Sequence, residues 1–569
     1  MVKRSLSSSV NINSTRTIVA LTAIIVIVLI GLCGILIEKY WKKSLSNLFK
    51  IESNKKHFNP WFQIKRYFLY LILFIINMIC IAIIYLFGGQ QGVIVVIIIL
   101  KIKDILCAII LPFYNLYKTY SLYDYNRPIL NGNQKTIVSI VPVYKEKLDE
   151  ISYTIDSIIH NSFKLYRLLI VIISDGNSTD VDSVLNKTVK SQTNIEYNSW
   201  KDENISCDII YGYRHQVPVV IIKKEINMEK KDSLILSFDL FNSLRNDIST
   251  STVNFRKLIR KEIKHLYRIS KYDYMFFTDA DSFIRSGSLT RLIDEMEYRH
   301  VGAACGIVMV DFNNHFGGFW NLYQNYQYLY GQILRRSFEN IFRRLTCLPG
   351  CITMIKVDQK FSYVTSDYAK MPRQSQLIHT TVQRLGTDRR LAYLIQYHKI
   401  KTCMVESAVC YTKPPHSLYR FLTQRRRWGS NAFFNSLLGV CSSRIHPIIR
   451  LSLFLDMARM ALVYFRLFNI ALFIYQLTQH VQLIQLIIQV FIVLYPTFYF
   501  FISSFLKAKL RRIYPKLVLG YILNKLCTSL ISVAVITTVF YNVGNLSWGG
   551  PKKNVKNTSD LPIFTIQIV

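Results

Sequence analysis

Apolar positions fall into two patterns along this chain. Near both ends they run on for about 20 residues, the length at which a helix crosses a bilayer. In the middle they come in short runs separated by helix-patterned polar stretches. The first long runs are 17–37, 67–87 and 93–113. The third is broken by Lys101, Lys103 and Asp104, so it reads as the weakest span or as a helix lying in the interface. Long runs return at 451–476, 481–505 and 517–541. The last carries Asn524, Lys525, Thr528, Ser529 and Ser532, which leaves it between a polar span and an interfacial helix. Lysine and arginine dominate the loop 38–66, and Lys507, Lys509, Arg511, Arg512 and Lys516 follow the fifth run. The positive-inside rule places both loops in the cytoplasm and the N-terminus outside. The sequon at Asn13 then serves as a probe of the outer side, and no cleavable signal peptide is expected.

Between these regions the short runs predict strands at 136–141, 168–173, 272–277, 301–310 and 351–357. Helical patterns lie between them, at 233–244 and 288–298, and another helix is expected from Ser417. Buried strands alternating with helices predict an α/β fold with a mostly parallel sheet. Such sheets bind ligands at the carboxyl ends of their strands. Asp175 and Asp279 stand at two such ends. The division that follows is a membrane region of two to three helices at 1–113 and a cytoplasmic α/β domain at 114–412. Interfacial amphipathic helices occupy 413–450, membrane or interfacial helices 451–541, and a tail 542–569.

Composition narrows the classes. With 51% hydrophobic and 18% charged residues among 569, a disordered chain is excluded. The net charge of +35 invites a nucleic-acid reading, but much of the excess flanks the apolar runs and fits anionic lipid instead. Eleven cysteines without a C-x-x-C pair indicate neither a disulfide framework nor a zinc site. Cys347 and Cys351 have a spacing zinc accepts, yet no second pair stands near, and the histidines show no ligand spacing.

The candidate chemistry lies in carboxylates. Asp279 and Asp281 form a D-x-D triplet just past a strand, able to share one divalent cation through oxygen ligands; the bland reading is a capped turn. Asp175 in ISDGNSTD and Asp388 in LGTDRR are the other two sites. The string Gln424-Arg425-Arg426-Arg427-Trp428 is either a basic helix at a membrane surface or a grip on a diphosphate, with Trp428 stacking on a sugar.

The order VPVYKE, ISDGNSTD, EKKDSLIL, FFTDADS, CLPGC, LGTDRR, QRRRWGSN, SWGG resembles the processive inverting glycosyltransferases of family two, and among them the chitin synthases. The stretch QNYQYLYGQILRRSFENIFRRLTCLPGC discriminates most. The resemblance implies a GT-A-like domain and transfer of N-acetylglucosamine from UDP-N-acetylglucosamine to the 4-hydroxyl of a growing β-1,4 chitin chain. It also implies extrusion through the membrane helices, Mg²⁺ or Mn²⁺ as cofactor, and a multi-pass location, expected at the plasma membrane. Pro142, Tyr144, Glu146, Asp175, Lys230, Lys231, Asp279, Gln424 and Arg427 then contact the nucleotide. Asp279 and Asp281 hold the metal, and Asp388 is the catalytic base. Trp428 and Cys347, Leu348, Pro349, Gly350 and Cys351 meet the acceptor, and Ser547 and Trp548 resemble a gating loop. One base suffices for such a transfer, because a metal-bound diphosphate leaves without a proton. The partners are the nucleotide sugar, the polymer and the bilayer, with a homo-oligomer left open and no nucleic acid. Three motifs depart from the family pattern: Thr387 stands for a glutamate, Glu229-Lys230-Lys231 for glycine-lysine-arginine, and Trp548-Gly549-Gly550-Pro551-Lys552 for the tryptophan-glycine-threonine-basic gating motif. Rival readings are a hyaluronan-type or other family-two synthase, and an inactive relative acting as a membrane scaffold. If Trp548 gates the site, run 517–541 is interfacial and the spans number five.

Overall fold

The computed structural model describes residue 68, residues 71–82 and 90–121, and most of 135–543, leaving out 162–165, 177–180, 243–244, 246, 313–317, 372–376, 416, 466, 469–482 and 542. Run 17–37, Asn13, Ser547 and Trp548 lie outside the described residues.

Ten strands make one sheet: β1 (Lys135–Val143), β2 (Tyr166–Asp175), β3 (Lys187–Asn198), β4 (Asn204–Arg214), β5 (Val217–Lys224), β6 (Tyr274–Phe277), β7 (Ser282–Ile284), β8 (Ala303–Val310), β9 (Thr353–Lys356) and β10 (Thr402–Thr412). Their spatial order is β3-β4-β5-β2-β1-β6-β9-β8-β10-β7. The centre is parallel, from β5 through β2 and β1 to β6. The whole sheet is mixed, because β9 lies antiparallel between β6 and β8 and the β3–β4–β5 meander adds an antiparallel flank. All five expected strands form, with ends shifted by a few residues.

The centre reads as continuous apolar runs because both of its faces are covered. Side chains alternate along β1 and β2. Val138, Ile140, Leu169 and Val171 pack on Leu234 and Phe238 of helix Glu229–Phe241, Ile259 of Thr250–Tyr267 and Phe361 of Phe361–Ala369. Ile137, Val141, Leu168 and Ile170 pack on Ile151 and Ile155 of helix Leu148–Ile159 and on Leu289 and Leu292 of Ser288–Arg299. The parallel strands end along one edge: Val143 lies beside Ser174, Asp175 beside Lys224, and Ile140 beside Phe277. Tyr144, Asp175, Lys224 and Asp279 therefore gather at the carboxyl edge.

The helical part packs against that domain. Helix Leu418–Cys441 begins where expected, with the Ser417 side chain accepting from the Arg420 amide as its N-cap. Helix Tyr514–Tyr541 lies across Phe319–Tyr330 and Leu418–Cys441. Among the described residues one helix is long and apolar enough to cross a bilayer, Tyr514–Phe540, the run left open above. Leu71–Ala82 and Val490–Leu506 are apolar but shorter. The charges that interrupt run 93–113 face inward from helix Gln90–Ser121. Lys103 Nζ lies 2.5 Å from Asp456 Oδ2 and 3.6 Å from Glu339 Oε1, and Asp104 receives a two-pronged Arg335 guanidinium at 2.6 and 2.8 Å.

Candidate active site

Asp388 opens helix Asp388–Tyr397, and its carboxylate is held from two sides. The Gly350 amide donates to Oδ2 and the Thr387 hydroxyl to Oδ1, each at 2.8 Å. Thr387, the departure from the family pattern, is thus a fixed partner of the acid that follows it. Gly350 permits the close approach. A Cβ there would stand 2.9 Å from Asp388 Oδ1 and 3.0 Å from Lys230 Nζ. Lys230 in turn pairs with Asp279. The two carboxylates, Asp279 ahead of Asp388, outweigh the cost of burial and raise the Lys230 ammonium above its ordinary range. Asp388, Gly350, Lys230 and Asp279 are therefore one cluster, assembled from four separate segments of the chain.

Asp281 ends the turn between β6 and β7. Burial, then Asp279 and Glu146, push its carboxyl up to about 7. Three carboxyl groups with Lys230 as their cation make a donor set short of positive charge, which fits a hard divalent ion. Among the described residues no group of three or more His, Cys, Asp or Glu has metal-holding geometry, so Asp279 and Asp281 offer a partial shell that diphosphate oxygens could complete. Glu146 is turned back on its own loop, accepting from the Tyr144 amide at 2.7 Å and the Lys145 amide at 3.1 Å. Pro142 sits near the end of β1, two residues before Tyr144.

Asp175 is buried at the end of β2. Its Oδ1 takes the Met228 amide at 2.9 Å and Lys224 Nζ at 2.8 Å. Lys224, fully buried, also reaches Asp232 at 3.0 Å and Ser233 at 2.9 Å. Asp232 is completed by the Tyr197 hydroxyl at 2.6 Å and the Trp200 amide at 3.0 Å. Sequence reasoning missed Lys224; its signal is a lysine closing the apolar run VPVVIIKK. Glu229, where the family has glycine, sits at φ +75°, a conformation that favours glycine.

Lys231 does not join Lys230. Neighbours on a helix point about 100° apart, and Lys231 Nζ donates to the Gln383 carbonyl at 2.6 Å, 4.4 Å from the Trp200 ring and 4.8 Å from the Tyr368 ring. Leu348 is likewise buried in the core. The Pro349 carbonyl accepts from the Ile352 amide at 3.1 Å and the Thr353 hydroxyl at 2.7 Å, which fixes the turn. The Cys351 thiol hydrogen-bonds Cys410, and that bond and burial push it up; burial also raises Cys347.

Helix Leu418–Cys441 brings the basic string to this edge. Arg427 is pulled down by burial and by Arg426, while Asp388 and Asp279 act on it in the opposite sense. Gln424 Oε1 is buried without a hydrogen-bond partner among the described residues. Trp428 is 42% exposed and stands 6.1 Å from the Tyr328 ring. Arg425, which sequence reasoning gave no role, holds that wall: its guanidinium lies 4.7 Å from Trp428, 4.9 Å from Phe421 and 5.5 Å from Tyr328.

Comparison with known proteins gives the following. A family model described as chitin synthase matches residues 212–559. Chitin synthase V of Fusarium oxysporum f. sp. lycopersici is 26% identical over 341 residues, 53% of this chain and 18% of that protein. Chitin synthase 5 of Cryptococcus neoformans var. grubii is 25% identical over 370 residues, 57% of this chain and 19% of that protein. Chitin synthase 6 of Mycosarcoma maydis is 24% identical over 341 residues, 53% of this chain and 28% of that protein. The chain therefore spans well under a third of the length of these relatives. Among solved structures, the mannosyltransferase PcManGT of Pyrobaculum calidifontis, in complex with GDP-Man and Mn²⁺, aligns at a TM-score of 0.38 and 11% identity, covering 78% of this chain and 99% of that one. Residues 1–349 of S. aureus TarS align at 0.28 and 9%, covering 73% and 93%.

Proposed function

The chain belongs to the chitin synthase family, and from that premise we propose that it builds β-1,4-linked N-acetylglucosamine polymer from UDP-N-acetylglucosamine with inversion. The observation that carries this reading is the single cluster of Asp388, Gly350, Lys230 and Asp279 at the carboxyl edge of the sheet.

In this mechanism Asp175 receives the base of the nucleotide through Oδ2, because its other oxygen is occupied by Lys224 and Met228. Lys230 and Arg427 face the diphosphate and offset the charge that grows on it as the sugar bond breaks. A divalent cation bound by Asp279 and Asp281, Mg²⁺ or Mn²⁺, would supply further positive charge against those oxygens. Trp428 offers its exposed face to the acceptor sugar, braced by Arg425. Asp388 takes the proton of the acceptor 4-hydroxyl as that oxygen attacks the anomeric carbon from the side opposite the diphosphate. The Gly350 and Thr387 bonds aim its carboxylate before substrate arrives. A GT-A-like domain, processive addition and passage of the polymer between the membrane helices are parts of the same proposal.

Membrane embedding is supported by exposed apolar faces on the terminal helices, including Phe74 and Ile79, Ile109 and Phe113, and Phe491 and Phe498. The loop expected in the cytoplasm touches the catalytic domain: Lys507 pairs with Glu406 and Lys509 donates to the Ser407 carbonyl, both on β10. These contacts support a reading in which one side of the membrane holds both.

The test is synthesis by the purified chain given radiolabelled UDP-N-acetylglucosamine and Mg²⁺ or Mn²⁺. Insoluble product digested by chitinase is expected. Polymer only after UDP-glucuronate is added would assign a hyaluronan-type enzyme instead.

A further inference from the structure

At the β7–β10 edge of the sheet, three cations are gathered with no acid among them. The turn between helix Leu483–Leu506 and helix Tyr514–Tyr541 carries Lys507, Lys509, Arg511 and Arg512. Lys509 Nζ donates to the Ser407 carbonyl at 3.0 Å, and Arg291 Nη1 donates to the same oxygen at 3.1 Å. The two charged heads are thus no further apart than those two bonds placed end to end. Arg291 is seated against Gly287, whose φ of +75° and missing Cβ leave room for it; a Cβ would lie 3.3 Å from Nη2. Arg285, just past β7, adds a third charge. Burial, with Arg285 and Arg291 beside it, draws the Lys509 ammonium down from its ordinary value. Among the described residues no carboxylate forms an ion pair with Arg285, Arg291 or Lys509. Glu406, next to the shared carbonyl, is paired with Lys507 at 2.7 Å.

Like charges held together in this way favour an anion between them. Its source follows from the surroundings. The turn continues a helix whose last residues, Phe505 and Leu506, are exposed, Leu506 by 72%, and the next helix exposes Val518 and Ile522. On the membrane-embedded reading, a site at the foot of these two apolar helices meets the lipid phosphates.

We propose that Arg285, Arg291 and Lys509 bind the phosphate of an anionic membrane lipid, and so seat the β7–β10 edge of the sheet on the bilayer. This rests on the membrane-embedded reading of the chain.

The test uses the full chain in uncharged detergent, titrated with phosphatidylserine and with phosphatidylcholine and read by native mass spectrometry. Each basic residue at a membrane surface contributes about fivefold in affinity. The substitutions Arg285→Gln, Arg291→Gln and Lys509→Gln together are expected to abolish the preference for phosphatidylserine. Lys509→Gln alone, on the exposed turn, is expected to lower it about fivefold and keeps the test informative if the triple variant misfolds. The charge-matched variant Lys257→Gln, Lys261→Gln, Lys264→Gln is expected to keep the preference. Equal loss in that control, or no loss in either cluster variant, would overturn the site. Competition by millimolar inorganic phosphate as effective as the lipid would overturn the lipid as its source. Incorporation of the chain into phosphatidylcholine vesicles, resistant to carbonate extraction, is measured in parallel. A chain that incorporates but shows no preference refutes the site alone, whereas one that does not incorporate refutes the membrane reading beneath it.

Discussion

A single missing Cβ sets the geometry of the transfer site. The Gly350 amide reaches Asp388 Oδ2 only because no side chain stands between the turn and the carboxylate. Gly350→Ala would push on Asp388 and Lys230 together. We expect synthesis to fall about a hundredfold, the effect of displacing a catalytic group by an ångström, with the thermal midpoint moved little. Near-normal synthesis would show that the turn does not aim the base. At this scale the placement of the acids was legible in the sequence, because the apolar runs and the polar residues that end them mark strand ends and helix starts. What each acid leans on was not. Thr387 as the partner of Asp388 and Lys224 as the partner of Asp175 depend on contacts between distant segments, which no local pattern encodes. Lys231 points away from Lys230; motif position says which residues are adjacent and not which way each one points.

The elements at the proposed nucleotide edge are joined by one buried cation. Lys224 on β5 neutralises Asp175 on β2 and Asp232 on helix Glu229–Phe241, and Tyr197 ties β3 to the same acid. Removing one partner of a buried ion pair leaves an uncompensated charge, which costs about 3–5 kcal/mol. Lys224→Met is therefore expected to destabilise the chain by about that amount in thermal unfolding. The double variant Lys224→Met, Asp232→Asn is expected to recover part of the loss; equal stability of wild type and Lys224→Met would contradict the account. The meander that carries these groups was the least legible part of the fold. β3 is an exposed edge strand of mostly polar residues, so it lacks the alternation that marks a half-buried strand. β10 was hidden by Glu406 and Ser407, where its pairing with β8 shifts register. The central strands were readable because two covered faces make them nearly continuous apolar runs, interrupted in the middle of β1 only by the buried Ser139.

Across the whole molecule, charge joins the helical part to the sheet domain. Asp104 meets Arg335 in the π-helical turn Gly331–Arg336, and Lys103 bridges Asp456 and Glu339. Glu339 then accepts from the Thr346 amide and hydroxyl at 2.9 Å, directly before Cys347 of the proposed acceptor turn. Two of the charges that make run 93–113 look like a poor span, Lys103 and Asp104, are thus internal links. Asp104→Ala is expected to cost about 3–5 kcal/mol by stranding Arg335. Asp104→Leu with Arg335→Met is expected to restore most of it, as measured by thermal unfolding; failure to restore would mean the pair does more than neutralise itself. Which runs cross the bilayer could not be settled from apolar length alone, since packing and lipid demand the same residues.

The central claim is that Asp388 is the base of a sugar transfer and not a nucleotide ligand. The direct test is Asp388→Asn, with polymer formation and UDP binding measured on the same preparation. The account predicts that synthesis from UDP-N-acetylglucosamine disappears while UDP affinity stays near that of the unsubstituted chain. Substantial synthesis by Asp388→Asn, or loss of UDP binding along with it, would contradict that assignment.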